Sequence, residues 1–326
     1  MKKCMQIALV VILFWGCQAE EEFPYPSLFW GFALEGFPIT HQQLEFLYKQ
    51  TQIRPELILF YLQWPAPGVQ QEPLTPSLAA IWSAEAVPCL TWEPMYKVDQ
   101  VQTTIPYEDI LDGQYDAYLF EIAKEIKEWG KPLVIRFAHE MNLSSYHWGT
   151  SLSEYGPLSP VIYRKMVHYI VELFRGTGAA NVLWAFCPNA DSIPNTDWNT
   201  ARSYYPGDAY VDLLGMDGYN WKKGSETRSF EEIFGRLYRQ LKEIAPHKPL
   251  IVFETASGEQ ETQTEWIRNA LQISKKWGIK GIVWFQANKE EDWRLKPHTD
   301  TPESFPIHLE QPSFQQWLLD WQTAKR

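Results

Sequence analysis

The sequence predicts a protein of the α/β class that is built as a single (β/α)8 TIM barrel. Eight short apolar runs follow one another along the chain, and helical patterns separate many of them. Continuously apolar runs are typical of parallel strands buried on both faces, and their alternation with helices indicates βαβ units. Eight such units over about 250 residues match a closed barrel. A doubly wound open sheet is the less favoured alternative, because no G-x-G-x-x-G pattern follows the first run.

The eight predicted strands share a composition rich in β-branched and aromatic residues, and each is short enough to be one strand of a barrel. In chain order they comprise residues 28–34, 57–62, 86–91, 133–138, 182–186, 211–216, 250–253 and 281–285.

Three helices are predicted from apolar residues spaced three or four apart, which places these residues on one helix face. In 115–129 the residues Leu119, Ile122 and Ile126 have this spacing, and Gly130 and Pro132 end the pattern. The second helix runs through Ile162, Met166 and Ile170 and ends by Gly176, and the third uses Trp266, Ala270, Ile273 and Trp277 and ends at Gly278.

The first residues have the pattern of an export signal. Lys2 and Lys3 precede an apolar run, 7–15, that is much shorter than the roughly 20 residues a membrane-spanning helix needs. The run leads into Leu-Phe-Trp-Gly-Cys17, which resembles a bacterial lipobox; cleavage near Ala19 is the alternative. The predicted organisation is a lipoprotein-type signal peptide over 1–16, a tether over 17–26 and a (β/α)8 catalytic domain over 27–326.

Charge and cysteine content exclude several classes of protein. With 29 Lys and Arg against 40 Asp and Glu, the net charge is −11, so we expect no nucleic-acid partner, and membrane contact only through a lipid anchor. Cys89 and Cys187 fall on predicted strands 3 and 5, two strand spacings or about 9.6 Å apart, so we expect free thiols. No Cys or His spacing typical of a metal site occurs, and we expect no metal or organic cofactor.

The active site of a TIM barrel lies at the C-terminal ends of its strands. The residues at these positions are mainly carboxylates, amides and aromatic side chains. They are Glu35, Gln63, Trp64, Trp92, Glu93, His139, Glu140, Asn142, Asn189, Asp191, Asp217, Tyr219, Asn220, Trp221, Glu254, Trp284, Gln286 and Asn288.

This combination of side chains suits a carbohydrate ligand. Aromatic rings can stack on the apolar face of a pyranose, and two carboxyl groups are what glycosidic bond cleavage requires. Glu140 and Glu254 are the candidate pair. Arg136 shares the strand parity of Glu140, and a cation there would keep a nearby carboxylate ionised. His139 has the opposite parity and would reach the site only if the strand end curled.

Five blocks of the chain, in order and spacing, resemble glycoside hydrolase family 26, a family of retaining endo-β-glycanases, chiefly β-mannanases. The resemblance is strongest over residues 107–294. The blocks are Arg136-Phe-Ala-His139-Glu140-Met-Asn142 followed by Tyr146 and Trp148, then residues 181–189, 210–221, 248–255 and 283–294.

The resemblance implies a role for each matching residue. Leu143 stands where family members often have glycine, so the loop over 143–160 is expected to differ, and linkage specificity with it. The implied roles are Glu140 as general acid/base, Glu254 as nucleophile, His139 as the residue orienting the acid/base, Tyr219 as hydrogen-bond donor to the nucleophile, Trp284 as floor under the sugar to be cleaved, and Arg136 and Asn142 as supporting polar residues. Apart from these implied roles, four further residues are candidates for substrate binding: Trp92, Trp148, Asp217 and Trp221.

The favoured interpretation is an endo-β-1,4-mannanase that acts by double displacement. The first alternative is the same chemistry on mixed-linkage β-1,3-1,4-glucan or xylan, because these substrates differ in features that the sequence does not reveal. The second is a non-catalytic surface protein that binds carbohydrate. A metal-dependent barrel hydrolase is disfavoured because His pairs are absent from the strand ends. The sequence leaves the oligomeric state and endo versus exo action open.

Lipid anchoring through Cys17 gives a direct prediction of localisation. We expect export and attachment to the bacterial cell envelope, with more than one acyl chain, because one chain anchors only marginally. Cys17→Ala should therefore move the protein from the membrane fraction to the soluble fraction in a cell fractionation experiment. A wild-type protein that is already soluble and begins near Ala19 would contradict the prediction and indicate a secreted or periplasmic protein.

Overall fold

A computed structural model describes residues 28–99, 101–146, 148, 155–222, 227–258, 262–295 and 313–325. The predicted signal peptide and tether, with Cys17, lie outside the described residues. Within the described part of the chain, no helix is both long and apolar enough to cross a membrane.

Eight parallel strands close into a barrel, which confirms the predicted fold. Each predicted strand is present, and its ends agree within two residues. Consecutive barrel strands are neighbours in space, and the last pairs with the first. The barrel strands are β1 (Phe29–Leu34), β2 (Leu57–Gln63), β3 (Val87–Glu93), β6 (Leu133–Phe137), β7 (Val182–Phe186), β8 (Leu213–Asp217), β9 (Leu250–Thr255) and β10 (Gly281–Phe285).

A β-hairpin that the sequence did not predict follows β3. Its strands β4 (Met95–Val98) and β5 (Val101–Thr104) pair antiparallel and form a separate two-stranded sheet. Most of the hairpin is exposed or half-buried, so its sequence lacks the continuous apolar run that marks the barrel strands. The hairpin extends the chain beyond the C-terminal end of the barrel, where the site residues lie.

The three predicted helices are confirmed as α4, α5 and α8. Left-handed Gly130 and Gly278 end α4 and α8, and α5 continues through Gly176 to a left-handed Gly178. The helices are α1 (His41–Thr51), α2 (Thr75–Ser83), α3 (Tyr107–Leu111), α4 (Asp116–Trp129), α5 (Ser159–Thr177), α6 (Ala201–Tyr204), α7 (Phe230–Ile244), α8 (Gln263–Trp277) and α9 (Phe314–Lys325).

Both faces of the barrel strands are buried, which explains why they read as continuous apolar runs. Cys89 and Cys187 are buried free thiols, as predicted. Strand β6 lies between β3 and β7 in the barrel, so the two cysteines are on strands that are not neighbours.

Candidate active site

Both candidate catalytic glutamates lie where the regular geometry of a strand is broken. After β6 the backbone of Ala138 and Glu140 is left-handed, with φ of 45° and 51°. Such angles are uncommon for residues other than glycine and persist only where the surroundings hold them. Here the Ala138 amide donates to Trp92 O (3.0 Å) and the Glu140 amide to Cys187 O (2.8 Å). The strand end therefore curls, which brings His139 to the site despite its parity.

Strand β9 carries a β-bulge directly before the second glutamate. Met216 of β8 pairs with Val252, but the next residue, Asp217, pairs with Glu254, so Phe253 is the extra residue. The Phe253 ring lies inside the barrel, with the Arg136 guanidinium 5.9 Å from its centroid. A bulge re-aims the residue after it. Glu254 thus faces the same interior as Phe253, although the two are adjacent in sequence.

A cavity of about 740 Å³ opens at the C-terminal ends of the barrel strands. Its wall combines carboxylates, amides and aromatic rings, as the strand-end residues predict. Residues that line it include Glu35, Gln63, Glu93, Glu140, Tyr146, Asn189, Tyr219, Trp221, Arg228, Glu254, Phe285 and Trp293.

Arg136 is fully buried beneath this cavity and binds two carboxylates at once. Its Nη1 donates to Asp217 Oδ2 at 2.5 Å, and its Nη2 donates to Glu254 Oε1. Thr91 Oγ1 accepts from Nε at 3.1 Å and from Nη2 at 2.8 Å. The Cys187 thiol donates to Asp217 Oδ1 at 3.1 Å. These contacts fix the orientation of the guanidinium and of both carboxylates.

The surroundings of Glu254 keep this carboxyl ionised. Burial alone would raise its pKa, but the Arg136 guanidinium and a hydrogen bond from Tyr219 lower the pKa to about 2. The Tyr219 hydroxyl donates to Glu254 Oε2 at 2.5 Å, so the hydrogen bond that the resemblance implies is present. An ionised carboxylate held by two donors is prepared to act as a nucleophile.

The surroundings of Glu140 favour the protonated form. Burial and the charge of Glu254 raise the pKa of Glu140 to about 7, although Asn189 Nδ2 donates to its Oε1 at 2.5 Å. Asn142 holds Asn189 in turn, because its Oδ1 accepts from the Asn189 amide (2.8 Å) and its Nδ2 donates to Asn189 O (2.9 Å). Two carboxyls whose pKa values are pushed apart are typical of an acid and nucleophile pair.

His139 lies beside Glu254 and not within hydrogen-bonding distance of Glu140. Its Nε2 is 3.9 Å from Glu254 Oε1. Burial and the Arg136 charge lower its pKa to about 3, so the imidazole is neutral at pH 7. Trp148 is buried next to His139: its Nε1 donates to His139 O at 2.7 Å, and its ring stacks on Tyr146 with centroids 4.7 Å apart. The role in orienting the acid/base stays a prediction for His139.

Among the residues predicted to bind substrate, Tyr219 and Trp221 line the cavity. Trp92 and Trp284 do not, because their side chains pack against the helices outside the barrel. Trp92 has no exposed surface, and its Nε1 donates to the Tyr118 hydroxyl of α4 at 2.9 Å. Trp284 is equally buried and packs edge-on against Trp266 of α8, with centroids 6.2 Å apart. Alternation along each strand turns these rings toward the helices. Trp221, in contrast, lines the cavity and is 37% exposed.

Several cavity residues were not predicted to have a role. Asn189 and Glu93 were recognised only as strand-end residues, and their contacts depend on tertiary structure. At the end of β10 the prediction chose Trp284, but of these two neighbours it is Phe285 that lines the cavity. The ring centroids of Phe285 and Tyr219 are 5.8 Å apart. Trp293 lies in the segment after β10 and contacts Trp221 at 4.8 Å. No strand-end pattern could have identified it.

His139, Asp217 and Glu254 have potential metal ligand atoms within 4.8 Å of one another. The Arg136 guanidinium already lies among these atoms and donates to both carboxylates. A divalent cation there would be repelled by this buried positive charge at short range. The residues therefore fit an ion-pair network better than a metal centre, and the absence of a cofactor stays an expectation.

The Arg136 network predicts a pH-dependent loss of stability in Arg136→Met. Removing a buried partner leaves Asp217 and Glu254 uncompensated, which should cost about 3–5 kcal/mol in the free energy of unfolding at pH 7. In the wild type, burial already raises the pKa of Asp217 well above its usual value, and the guanidinium opposes that shift. Without the guanidinium, burial raises the folded-state pKa of Glu254 above its unfolded value and raises that of Asp217 further, so lowering the pH through these values should relieve the loss.

Urea unfolding of wild type and variant at pH 8 and pH 5 measures this effect. Lys124→Met is the matched control, because Lys124 belongs to an exposed helical ion pair and should change stability by less than about 0.5 kcal/mol. A loss in Arg136→Met that does not shrink at pH 5 would contradict the electrostatic explanation.

Comparison with known proteins supports the assignment that these residues suggest. The sequence profile described as glycosyl hydrolase family 26 matches residues 78–296. Endoglucanase H of Acetivibrio thermocellus is 34% identical over 242 residues, which are 72% of this chain and 25% of that protein. A mannan endo-1,4-beta-mannosidase of Bacillus subtilis is 28% identical over 162 residues, 44% of this chain and 42% of that protein. The chain thus matches less than half the length of either relative.

Solved structures agree on the fold. Bacillus subtilis mannanase man26 has a TM-score of 0.58 at 18% identity, covering 88% of this chain and 90% of that one. The GH26 beta-mannanase BoMan26A of Bacteroides ovatus has a TM-score of 0.59 at 18% identity, covering 95% and 91%. At this identity the likeness shows the barrel alone. The profile match extends over more than half of the sequence, and the chain therefore belongs to glycosyl hydrolase family 26.

Proposed function

We propose that this protein is a retaining hydrolase of a β-linked glycan, with Glu140 as general acid/base and Glu254 as nucleophile. One observation carries the proposal: two buried carboxyls share a cavity, and their surroundings favour opposite protonation states. Family membership supports the class of reaction. The proposed double displacement needs one protonated and one ionised carboxyl at neutral pH.

In the first step, the Glu140 proton passes to the glycosidic oxygen as the bond from that oxygen to the anomeric carbon breaks. A Glu254 oxygen forms the new bond to the same carbon and gives a glycosyl ester. Arg136 and Tyr219 donate to Glu254 and hold it in one orientation, which reduces the entropy lost on reaching the transition state. Asn189 holds Glu140 in the same way.

In the second step, the Glu140 carboxylate removes a proton from water, and the water oxygen displaces Glu254 from the sugar. The charge of Glu254 contributes to the high pKa of Glu140, and that charge is absent while Glu254 is esterified. The pKa of Glu140 is therefore lower in the intermediate, when a base is needed. Departure of the sugar restores the Glu254 charge and with it the acidic form of Glu140.

The backbone of β-1,4-mannan is the first candidate substrate, since three of the relatives and several solved structures are described as mannanases or mannan mannosidases. A β-glucan, such as mixed-linkage β-1,3-1,4-glucan, is the second candidate, because the relative named endoglucanase H matches at higher identity and over more of the chain than the Bacillus mannosidases. Export and anchoring through Cys17, also proposed, would place the enzyme where extracellular polysaccharide is available.

A substrate screen tests the proposed function. We expect the purified protein to release reducing sugar from β-1,4-mannan, with a fall in viscosity that precedes most of the release, as endo cleavage requires. Release from mixed-linkage β-glucan or xylan instead would assign the alternative substrate. If the wild type and Glu254→Ala bind these polymers equally and neither releases reducing sugar, the protein is a non-catalytic carbohydrate-binding protein.

The two glutamates should be distinguished by their variants. Glu254→Ala should lose roughly 10³-fold or more in turnover on every substrate, because it removes the nucleophile. Glu140→Ala should lose about 10²–10⁴-fold on a polysaccharide but less in the first step on an aryl glycoside, whose leaving group departs as an anion. Its intermediate should then accumulate and give a burst.

Azide provides the stereochemical test, since it attacks without a base. It should rescue Glu140→Ala with retained configuration and Glu254→Ala with inverted configuration. Glu121→Ala, which removes an exposed acid on α4, is the control and should behave as wild type. The same stereochemistry from both site variants would exclude the assigned roles, and an inverted product from wild type would exclude the retaining mechanism.

A further inference from the structure

The β2–β3 side of the cavity carries two polar side chains that the proposed mechanism does not use. Gln63 ends β2 and Glu93 ends β3, and they are register partners on neighbouring parallel strands. Thr91 of β3 binds Arg136 inside the barrel, so alternation turns Glu93 toward the interior as well. Both Gln63 and Glu93 line the cavity of the two proposed catalytic glutamates.

The surroundings of Glu93 are unfavourable for a residue with a purely structural role. The residue is 6% exposed, and within the described part of the chain its carboxyl accepts one hydrogen bond, from Gln63 Nε2 to Oε2 at 3.2 Å. The described residues place no cationic nitrogen within 4.0 Å of it. Burial raises its pKa to about 7 despite the Gln63 hydrogen bond.

Burying a carboxyl with one neutral partner destabilises a fold, because the group loses more hydration than it regains in hydrogen bonds. Glu254 and Asp217 are different, since both bind the Arg136 guanidinium. A buried titratable group that faces a cavity is characteristic of a ligand-binding position. Glu93 retains hydrogen-bonding capacity that a ligand in the cavity can use.

The chemistry of the two groups fits neighbouring hydroxyls of a sugar. A protonated carboxyl and a carboxamide each offer both donors and acceptors, as a hydroxyl does. The side chains stand on strands about 4.8 Å apart, so their polar ends reach adjacent positions of one ring. We propose that Glu93 and Gln63 together bind neighbouring hydroxyls of one sugar unit, beside the reacting carbon, and select the sugar configuration that the cleft accepts.

This inference rests on the proposed function and adds to it the basis of sugar selection. A site built to hydrogen-bond a hydroxyl rejects a sugar that lacks it at that position, because the buried polar groups are then left unpaired. Mannose and glucose differ in the configuration of a single hydroxyl. A rigid pair of polar side chains can distinguish them, whereas aromatic stacking on the ring face distinguishes them poorly.

Binding should be measured first, without turnover. In a Glu254→Ala background, calorimetric titration with manno-oligosaccharides and gluco-oligosaccharides of equal length gives the affinity for each. Adding Glu93→Ala or Gln63→Ala should weaken binding of the preferred series roughly tenfold to a hundredfold, and the two changes together should cost less than the product of the separate losses. The other series should lose less, so the ratio of the two affinities should fall.

Kinetics on the otherwise wild-type enzyme provide the second readout. Glu93→Ala should raise KM more than it lowers kcat, and should shift the ratio of kcat/KM between the two series by roughly tenfold. Glu93→Met keeps about the length of the side chain but removes its hydrogen-bonding groups, and it tests the same ratio if Glu93→Ala fails to fold. Glu121→Met on the exposed face of α4 is the matched control and should leave the ratio unchanged.

Failure of this inference differs from failure of the proposed function. A wild type that cleaves none of the polysaccharides contradicts the proposed function. In a second outcome, the wild type is active while the folded Glu93 and Gln63 variants keep both affinities and the ratio between the two sugar series. That result would contradict the proposed role of Glu93 and Gln63 in sugar selection. A fall in kcat that is equal for both series, with KM and the ratio unchanged, would also overturn it, because Glu93 would then only support the catalytic groups.

Discussion

The buried guanidinium of Arg136 is the interaction on which the rest of the site depends. It joins β6 to β3 through Thr91, to β8 through Asp217 and to β9 through Glu254. None of these charges would be stable alone in the interior, because an unpaired buried ion costs several kcal/mol. Closure of the barrel is what brings the four strands to the same place. The ionised state of Glu254 is thus a consequence of the strand order.

Breaks in regular strand geometry bring further side chains into the site that the closed barrel forms. A regular strand presents every second side chain to the interior, so it could not bring both Phe253 and Glu254, or both His139 and Glu140, to one side. The bulge in β9 brings both Phe253 and Glu254 to the interior. The left-handed backbone after β6 brings both His139 and Glu140 to the site. Departures of this kind are found at functional sites, where the surrounding structure holds them.

The sequence predicted the barrel because its strands are buried on both faces, and burial on both faces leaves an apolar run that is easy to recognise. It did not predict the β4–β5 hairpin, whose exposed residues such as Val98 and Val101 give no such run. The strand-end rule located the site but could not determine which way each side chain points. Contacts made across the cavity, such as that of Asn189 with Glu140, arise only from the closed fold.

The orientation of the tryptophans changes how the cleft is expected to recognise a sugar. The aromatic side chains at the strand ends suggested stacking on a sugar, yet Trp64, Trp92 and Trp284 are fully buried. In these positions the rings fill the space around the barrel strands, and their hydrophobic burial stabilises the fold.

Among the described aromatic residues that line the cavity, the most exposed ring is therefore that of Trp221, which Trp293 contacts edge-on. Stacking depends on the apolar face of the ring and discriminates weakly between epimers. A hydrogen bond to a hydroxyl depends on its configuration, and leaving its buried partner unsatisfied is costly. Selection of the sugar in this cleft must then come from polar groups on the wall. Glu93 and Gln63, on the β2–β3 side, are polar groups of this wall whose side chains, among the described residues, hydrogen-bond to each other and to no third group.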